Sequence, residues 1–121
     1  MKKLYLLIFF LFSLNSIAIE KQTTFTKELF LEAQKSGKTV VINSWNKTCT
    51  TCAAQSEILK QAENKFKDIL FLSFEQTVDL DVAKFLKIDY WTTIVVYKNN
   101  KEVQRSIGQM DKAKIYELIK S

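Results

Sequence analysis

Three short apolar runs separated by helical patterns constrain this chain more than any other feature. Val40-Val41-Ile42, Ile69 to Phe74 and Thr93 to Tyr97 are brief and nearly unbroken, as expected of strands buried on both faces. Ahead of the first run, Phe25-Thr26 opens a helix. Thr26 can cap it, Phe25 and Phe30 occupy the two positions of a hydrophobic staple, and Gly37 closes it. A longer helical pattern begins at Cys49, with Ala54, Ile58, Ala62 and Phe66 four apart. Asp81 can cap a short helix whose apolar face is Val82, Phe85 and Leu86. After the third run, Asn99-Asn100 predicts a tight turn, because asparagine tolerates positive φ better than most residues. Glu102 to Ile107 then reads as an edge strand, Gly108 breaks it, and Asp111 caps a last helix that buries Ile115, Leu118 and Ile119. The order is α-β-α-β-α-β-β-α. Parallel neighbours need crossover helices, so the expectation is an α/β sandwich: a four-stranded mixed sheet with helices on both faces.

The first segment reads as an address rather than as part of this fold. Met1-Lys2-Lys3 is positive, and Leu4 to Phe12 is an unbroken apolar run, shorter than the roughly 20 residues a membrane-spanning helix needs. Ser16-Ile17-Ala18 puts small residues where a signal peptidase requires them for a cut after Ala18. Residues 1–18 are therefore expected to be a signal peptide, 19–24 a short lead and 25–121 the folded domain. The expected location is the periplasm of a bacterium, where disulfides persist. An uncleaved membrane anchor is the alternative.

Composition excludes several kinds of chemistry. The chain of 121 residues has no histidine, two cysteines, two glycines and no proline. Ser-His and Cys-His nucleophile pairs and HExxH zinc sites are ruled out, and no glycine-rich phosphate loop is present. The formal charge of +5 is spread among acidic residues. No basic stripe is interleaved with aromatics, so nucleic acid is not an expected partner.

The chemistry-bearing feature is Cys49-Thr50-Thr51-Cys52, at the point where the first strand gives way to a helix. In the first turn of a helix, residues three apart lie roughly 5–6 Å from one another, within reach of a disulfide. The helix start offers unpaired N–H groups and partial positive charge, which favour thiolate over thiol. Cys49 is then the exposed nucleophile and Cys52 the shielded resolving thiol. Two other readings compete. A purely structural staple would close a loop too short to contribute much entropy. A metal site closed within one chain lacks ligands, although the cysteine pairs of two chains could together hold a metal or an iron–sulfur cluster.

With these residues in view, the chain resembles the thioredoxin superfamily over about residues 25–121. The resemblance is carried by Val40 to Trp45, Cys49 to Cys52, Thr92 to Asn100 and Gly108. It implies a sheet in the order 2-1-3-4 with the final hairpin antiparallel to the rest. It also implies an exported thiol–disulfide oxidoreductase that needs no cofactor beyond its Cys49–Cys52 disulfide. Cys49 would form a mixed disulfide and Cys52 would resolve it. Asn43, Trp45, Thr48, Thr50 and Thr51 would surround the site, and Trp91, Thr92 and Thr93 would form the substrate-binding loop. The expected partners are protein thiols and disulfides and a membrane-embedded electron donor, with the chain itself a monomer. Thr50 and Thr51 bring no charge between the cysteines and Lys47 is the nearest fixed positive charge, so Cys49 is expected to be moderately acidic, and a reductase or isomerase is expected rather than a strong oxidant. Three positions depart from the family pattern. Thr48 replaces a tryptophan, and Asn43 replaces a buried aspartate, leaving water or a more distant acid such as Glu57 to take the proton of Cys52. Thr92 replaces a cis-proline. A cis bond before threonine costs about 2.5–4 kcal/mol, so the Trp91–Thr92 peptide is expected to be trans.

Overall fold

A computed structural model describes residues 23–121. Residues 1–18, read above as an export signal, lie outside the described residues. The elements run β1 (Thr23–Thr24), α1 (Lys27–Lys35), β2 (Val40–Trp45), α2 (Thr50–Lys65), β3 (Leu70–Glu75), α3 (Leu80–Leu86), β4 (Thr93–Lys98), β5 (Lys101–Ile107) and α4 (Lys112–Lys120).

The sheet has five strands in the order β1-β3-β2-β4-β5, where four were expected. The four expected strands hold their expected order, and β1 adds a fifth at the edge of β3. It pairs Thr23 with Leu72 and Thr24 with Ser73, so the end of the stretch read as a lead belongs to the sheet. Two exposed threonines carry no apolar signal, and β1 joins the sheet through backbone pairing. β2 and β3 are parallel, with Asn43 level with Ser73. β4 runs antiparallel to β2, with Asn43 level with Ile94, and β5 antiparallel to β4.

Alternation along the strands sorts the core into two layers. Val40, Ile42, Leu72, Phe74 and Val95 face α1 and α3, meeting Phe25, Phe30, Ala33, Ala83 and Leu86. Val41, Phe71, Ile94 and Val96 face α2 and α4, meeting Leu59, Ala62, Ile115 and Ile119. The local signals act as their chemistry predicts. Thr26 Oγ1 accepts from Leu29 N at 3.1 Å, and the Phe25 and Phe30 rings sit 5.5 Å apart. Such a cap contributes about 1 kcal/mol. Asn99 and Asn100 both adopt positive φ, at 51° and 64°, which is the twist a two-residue hairpin turn needs. Asp111 Oδ1 accepts from Lys114 N at 3.0 Å and caps α4.

Two helices differ from expectation. α3 starts at Leu80, with Asp79 rather than Asp81 at its N-cap position. Asp79 Oδ2 instead accepts from Glu75 N at 3.0 Å, which closes the β3–α3 turn. The helix buries Ala83 and Leu86, while Phe85 is partly exposed, meeting the Phe30 ring edge-on and the Phe25 ring at a tilt. In α2 the inward residues are Cys52, Gln55, Leu59 and Ala62. Ala54 faces solvent. Of the expected apolar row, Ala62 is buried and Ile58 and Phe66 pack against the core; Ala54 alone misses it, and Gln55 takes the core position beside it.

Candidate active site

β2 leaves the sheet at Trp45, and the chain passes through Asn46, Lys47 and Thr48 before α2 begins. Thr48 N donates to Asn46 Oδ1 at 3.4 Å, a local turn that brings Cys49 to the N-cap position. Cys49 Sγ accepts from Cys52 N at 3.0 Å, so the sulfur takes the role usually filled by a serine or aspartate oxygen. Cys49 and Cys52 form a disulfide with their Cα atoms 5.2 Å apart. Cys49 is half-buried, Thr48 and Thr50 are exposed, and Cys52 is 3% exposed. The accessible sulfur is thus the one at the helix start, and its partner is shielded one turn in.

A shallow pocket of about 280 Å³ opens beside the disulfide, lined by Trp45, Asn46, Lys47, Cys49, Cys52, Ala53 and Ser56. The first turn of α2 contains no acidic residue. The helix-end N–H groups favour a thiolate at Cys49, and Lys47 is the charged residue that lines the pocket. Thr51 is half-buried and Thr50 exposed, and neither brings a charge between the sulfurs.

Beneath this surface lies a buried polar network that the sequence reading found only in part. Asn43 is 1% exposed. Its Nδ2 is surrounded by three acceptors: Thr93 O at 3.2 Å, Gln55 Oε1 at 3.3 Å and Ser44 O at 3.4 Å. Those three oxygens fix the amide's orientation, since the flipped form would oppose oxygen to oxygen. Asn43 Oδ1 is buried and accepts no hydrogen bond. Gln55 spends its Nε2 on Thr92 O at 3.0 Å and on Gln109 O at 2.9 Å. Its helical position, one turn after Cys52 on the inward face, was the signal available, and it was masked by the apolar row one residue over. Glu57, on the same helix, is exposed and lies outside this network.

The loop Trp91–Thr92–Thr93 joins the site from the other side. Thr92 N donates to Ser44 O at 2.8 Å, and Thr92 O accepts from Gly108 N at 3.0 Å. Ser44 Oγ and Thr93 Oγ1 both donate to Tyr90 O at 2.6 Å. The Trp91–Thr92 peptide is trans, as are the other described peptides, and Thr92 has φ +65°. For a β-branched residue this left-handed conformation is a genuine outlier. Thr92 and Thr93 are buried, while Trp91 is 46% exposed. Of the ten residues expected at the site, Trp45, Cys49 and Cys52 share the pocket. Asn43, Thr92 and Thr93 meet in the network below it through Ser44 and Gln55. Gln55 and Ser44 were not foreseen.

No group of three or more potential metal ligands occurs among the described residues, and both cysteine sulfurs are committed to each other. What the arrangement can do is exchange one disulfide for another: an accessible sulfur at a helix start, and a second, shielded sulfur within bonding reach.

Comparison with known proteins agrees with this geometry. A family model described as Thioredoxin matches residues 17–121. The thioredoxin of Mycoplasma genitalium is 33% identical over 81 residues, covering 67% of this chain and 79% of its own length. That of Mycoplasma pneumoniae is 30% identical over 92 residues, covering 76% and 86%. Among solved structures, Trxlp from Edwardsiella tarda superposes with a TM-score of 0.76 at 20% identity, covering 80% of this chain and 96% of that one. The oxidised mitochondrial thioredoxin 3 of Saccharomyces cerevisiae gives 0.71 at 21% identity, covering 82% and 93%. At those identities the structural likeness concerns the fold.

Proposed function

This chain belongs to the thioredoxin family, and on that premise we propose that it is an exported reductase or isomerase of protein disulfides rather than a dedicated strong oxidant. Its thiol–disulfide oxidoreductase activity runs on its own Cys49–Cys52 disulfide and needs no cofactor.

In the reducing direction, the Cys49 thiolate attacks one sulfur of a substrate disulfide. A mixed disulfide forms, and the other substrate sulfur leaves as a thiolate that takes a proton. Cys52, deprotonated, then attacks Cys49 Sγ. The second substrate thiol is released and the Cys49–Cys52 bond forms, so two electrons pass from the dithiol to the substrate. Cys49 is suited to the first role because it is accessible at the N-cap of α2, and Cys52 to the second because it is buried one turn away.

The observation that carries the choice of direction is the electrostatic plainness of the first turn of α2. A strong oxidant holds its reduced form down by stabilising the nucleophilic thiolate to an extreme degree. Here the two intervening residues are threonines, and Lys47 is the charge that lines the pocket. That favours a moderately acidic Cys49 and a reducing pair. A reductase working outside the cytoplasm must be recharged, which calls for a membrane-embedded electron donor. Export itself is supported by the grammar of residues 1–18, and a monomer by a single self-contained pair of core layers.

Equilibration of the Cys49–Cys52 pair against a thiol redox buffer tests the direction. A potential near about −270 mV is expected, whereas one near −120 mV would make the chain an oxidant. N-terminal sequencing of the chain recovered from a bacterial periplasm tests export: a mature start at Ile19 is expected, and an uncleaved chain retained in the membrane would overturn it.

A further inference from the structure

We propose that Gln55 is a positioning residue for disulfide exchange: its side-chain amide holds Thr92 in the left-handed backbone conformation and ties that loop to the helix bearing the cysteines. The inference rests on the oxidoreductase reading of Cys49 and Cys52.

Gln55 is wholly buried, in the turn of α2 that follows Cys52. A glutamine there needs partners for two N–H groups and a carbonyl, and it finds them on three separate elements. One N–H meets Thr92 O, the other meets Gln109 O after β5, and the carbonyl accepts from Asn43 on β2. Thr92 is where this arrangement has a visible effect. Left-handed backbone is disfavoured for a residue with a Cβ by about five- to thirtyfold in population, and a branched Cβ adds to the crowding. The conformation persists when the surroundings over-determine it. Thr92 N is fixed on Ser44 O, and Thr92 O is gripped by Gly108 N and Gln55 Nε2. Rotation to negative φ swings the carbonyl away from both donors. Of those two grips, Gln55 is the one that comes from α2, so it also sets where the loop stands relative to the cysteine pair.

The consequence is selective. If a protein substrate lays its backbone over the cysteines and the Trp91–Thr93 loop, as the thioredoxin resemblance implies, it needs the loop in place. A small disulfide needs only the accessible sulfur. When the competent loop conformation is fractionally populated, apparent affinity falls by that fraction.

The test is steady-state reduction of insulin disulfides with dithiothreitol as reductant, beside single-turnover reduction of 5,5′-dithiobis(2-nitrobenzoate). Gln55→Met keeps the side chain's length and removes its hydrogen bonds. It is expected to raise KM for insulin by about five- to thirtyfold, with kcat and the small-disulfide rate within about twofold of the parent. Glycine adopts positive φ freely, so in the Thr92→Gly background the same substitution is expected to raise KM by less than about twofold. An equal rise in both backgrounds, or a loss of kcat and small-disulfide rate together, would overturn the proposal and leave Gln55 a packing residue. If Gln55→Met does not fold, exchange of the Gln55 side-chain amide protons in the parent decides. Protection comparable to strand amides is expected, and exchange at the rate of a free amide overturns the proposal. A parent chain that turns over neither disulfide would instead overturn the oxidoreductase reading on which the inference stands.

Discussion

Replacing Asn43 by aspartate probes the floor of the site. The Asn43 amide nitrogen faces Thr93 O, Gln55 Oε1 and Ser44 O between 3.2 and 3.4 Å. A carboxylate oxygen in its place would oppose three oxygens. Gln55 cannot turn to help, because its own N–H groups are committed to Thr92 O and Gln109 O. The new carboxyl is therefore stable only when protonated, and its pKa rises. A buried, unpaired carboxyl titrates about three pH units above an exposed one, which corresponds to about 4 kcal/mol at neutral pH. Exchanging a two-hydrogen donor for a single O–H removes about 1 kcal/mol more at any pH. The direction of the pH effect follows from the raised pKa. The penalty is absent below the unfolded value near pH 4, grows as pH rises, and levels off above the folded value. Urea melts of the oxidised parent and of Asn43→Asp, run from pH 4 to 8, should diverge by about 1.4 kcal/mol per pH unit through the middle of that range. A gap that stays constant with pH would refute the reasoning, because it would mean the carboxyl ionises freely at that position.

Further outcomes follow from the same geometry. In a chain carrying Asn43→Asp, decay of a mixed disulfide on Cys49 should accelerate only above the raised carboxyl pKa, by up to about 10²-fold. An unchanged rate at pH 8.5 by stopped flow would remove position 43 from the proton pathway. Arg105 donates to Lys87 O at 2.9 Å and Leu86 O at 3.2 Å, at the C-terminal end of α3, and pairs with Glu102 at 2.7 Å. Arg105→Gln should cost about 1 kcal/mol in urea melts, the exposed position keeping the figure small. Glu102→Gln should cost less than half of that, and an equal cost would mean that the ion pair, not the capping of α3, is what matters.

The parts of the fold that were legible in the sequence are those where one residue does one job. Thr26 with Phe25 and Phe30, Asn99-Asn100 and Asp111 each carry a local signal that nothing tertiary opposes. The cysteine pair was legible because a strand-to-helix junction gives it both reach and charge. β1 was not, because backbone pairing of two polar residues leaves no trace in side-chain pattern. α3 was misplaced by two residues because Asp79 and Asp81 offer the same chemistry, and only the turn back to Glu75 N separates them. Gln55 was missed for a related reason. Periodicity looks for apolar residues on the buried face, whereas this one is buried by satisfying carbonyls from two loops. Thr92 was legible as a departure from a proline pattern, but its left-handed backbone depends on partners 16 positions ahead at Gly108 and on Gln55, far back along the chain.

The central claim is that Cys49 attacks and Cys52 resolves. It is tested most directly by trapping. Each single variant, Cys49→Ser and Cys52→Ser, is mixed in its reduced form with a protein disulfide, quenched with acid and analysed by mass spectrometry for covalent adducts. Cys52→Ser should accumulate a mixed disulfide on Cys49, because the accessible N-cap sulfur remains and the resolving thiol is gone. Cys49→Ser should accumulate none, because Cys52 is 3% exposed. Equal trapping by the two variants, or trapping by Cys49→Ser alone, would contradict the assignment.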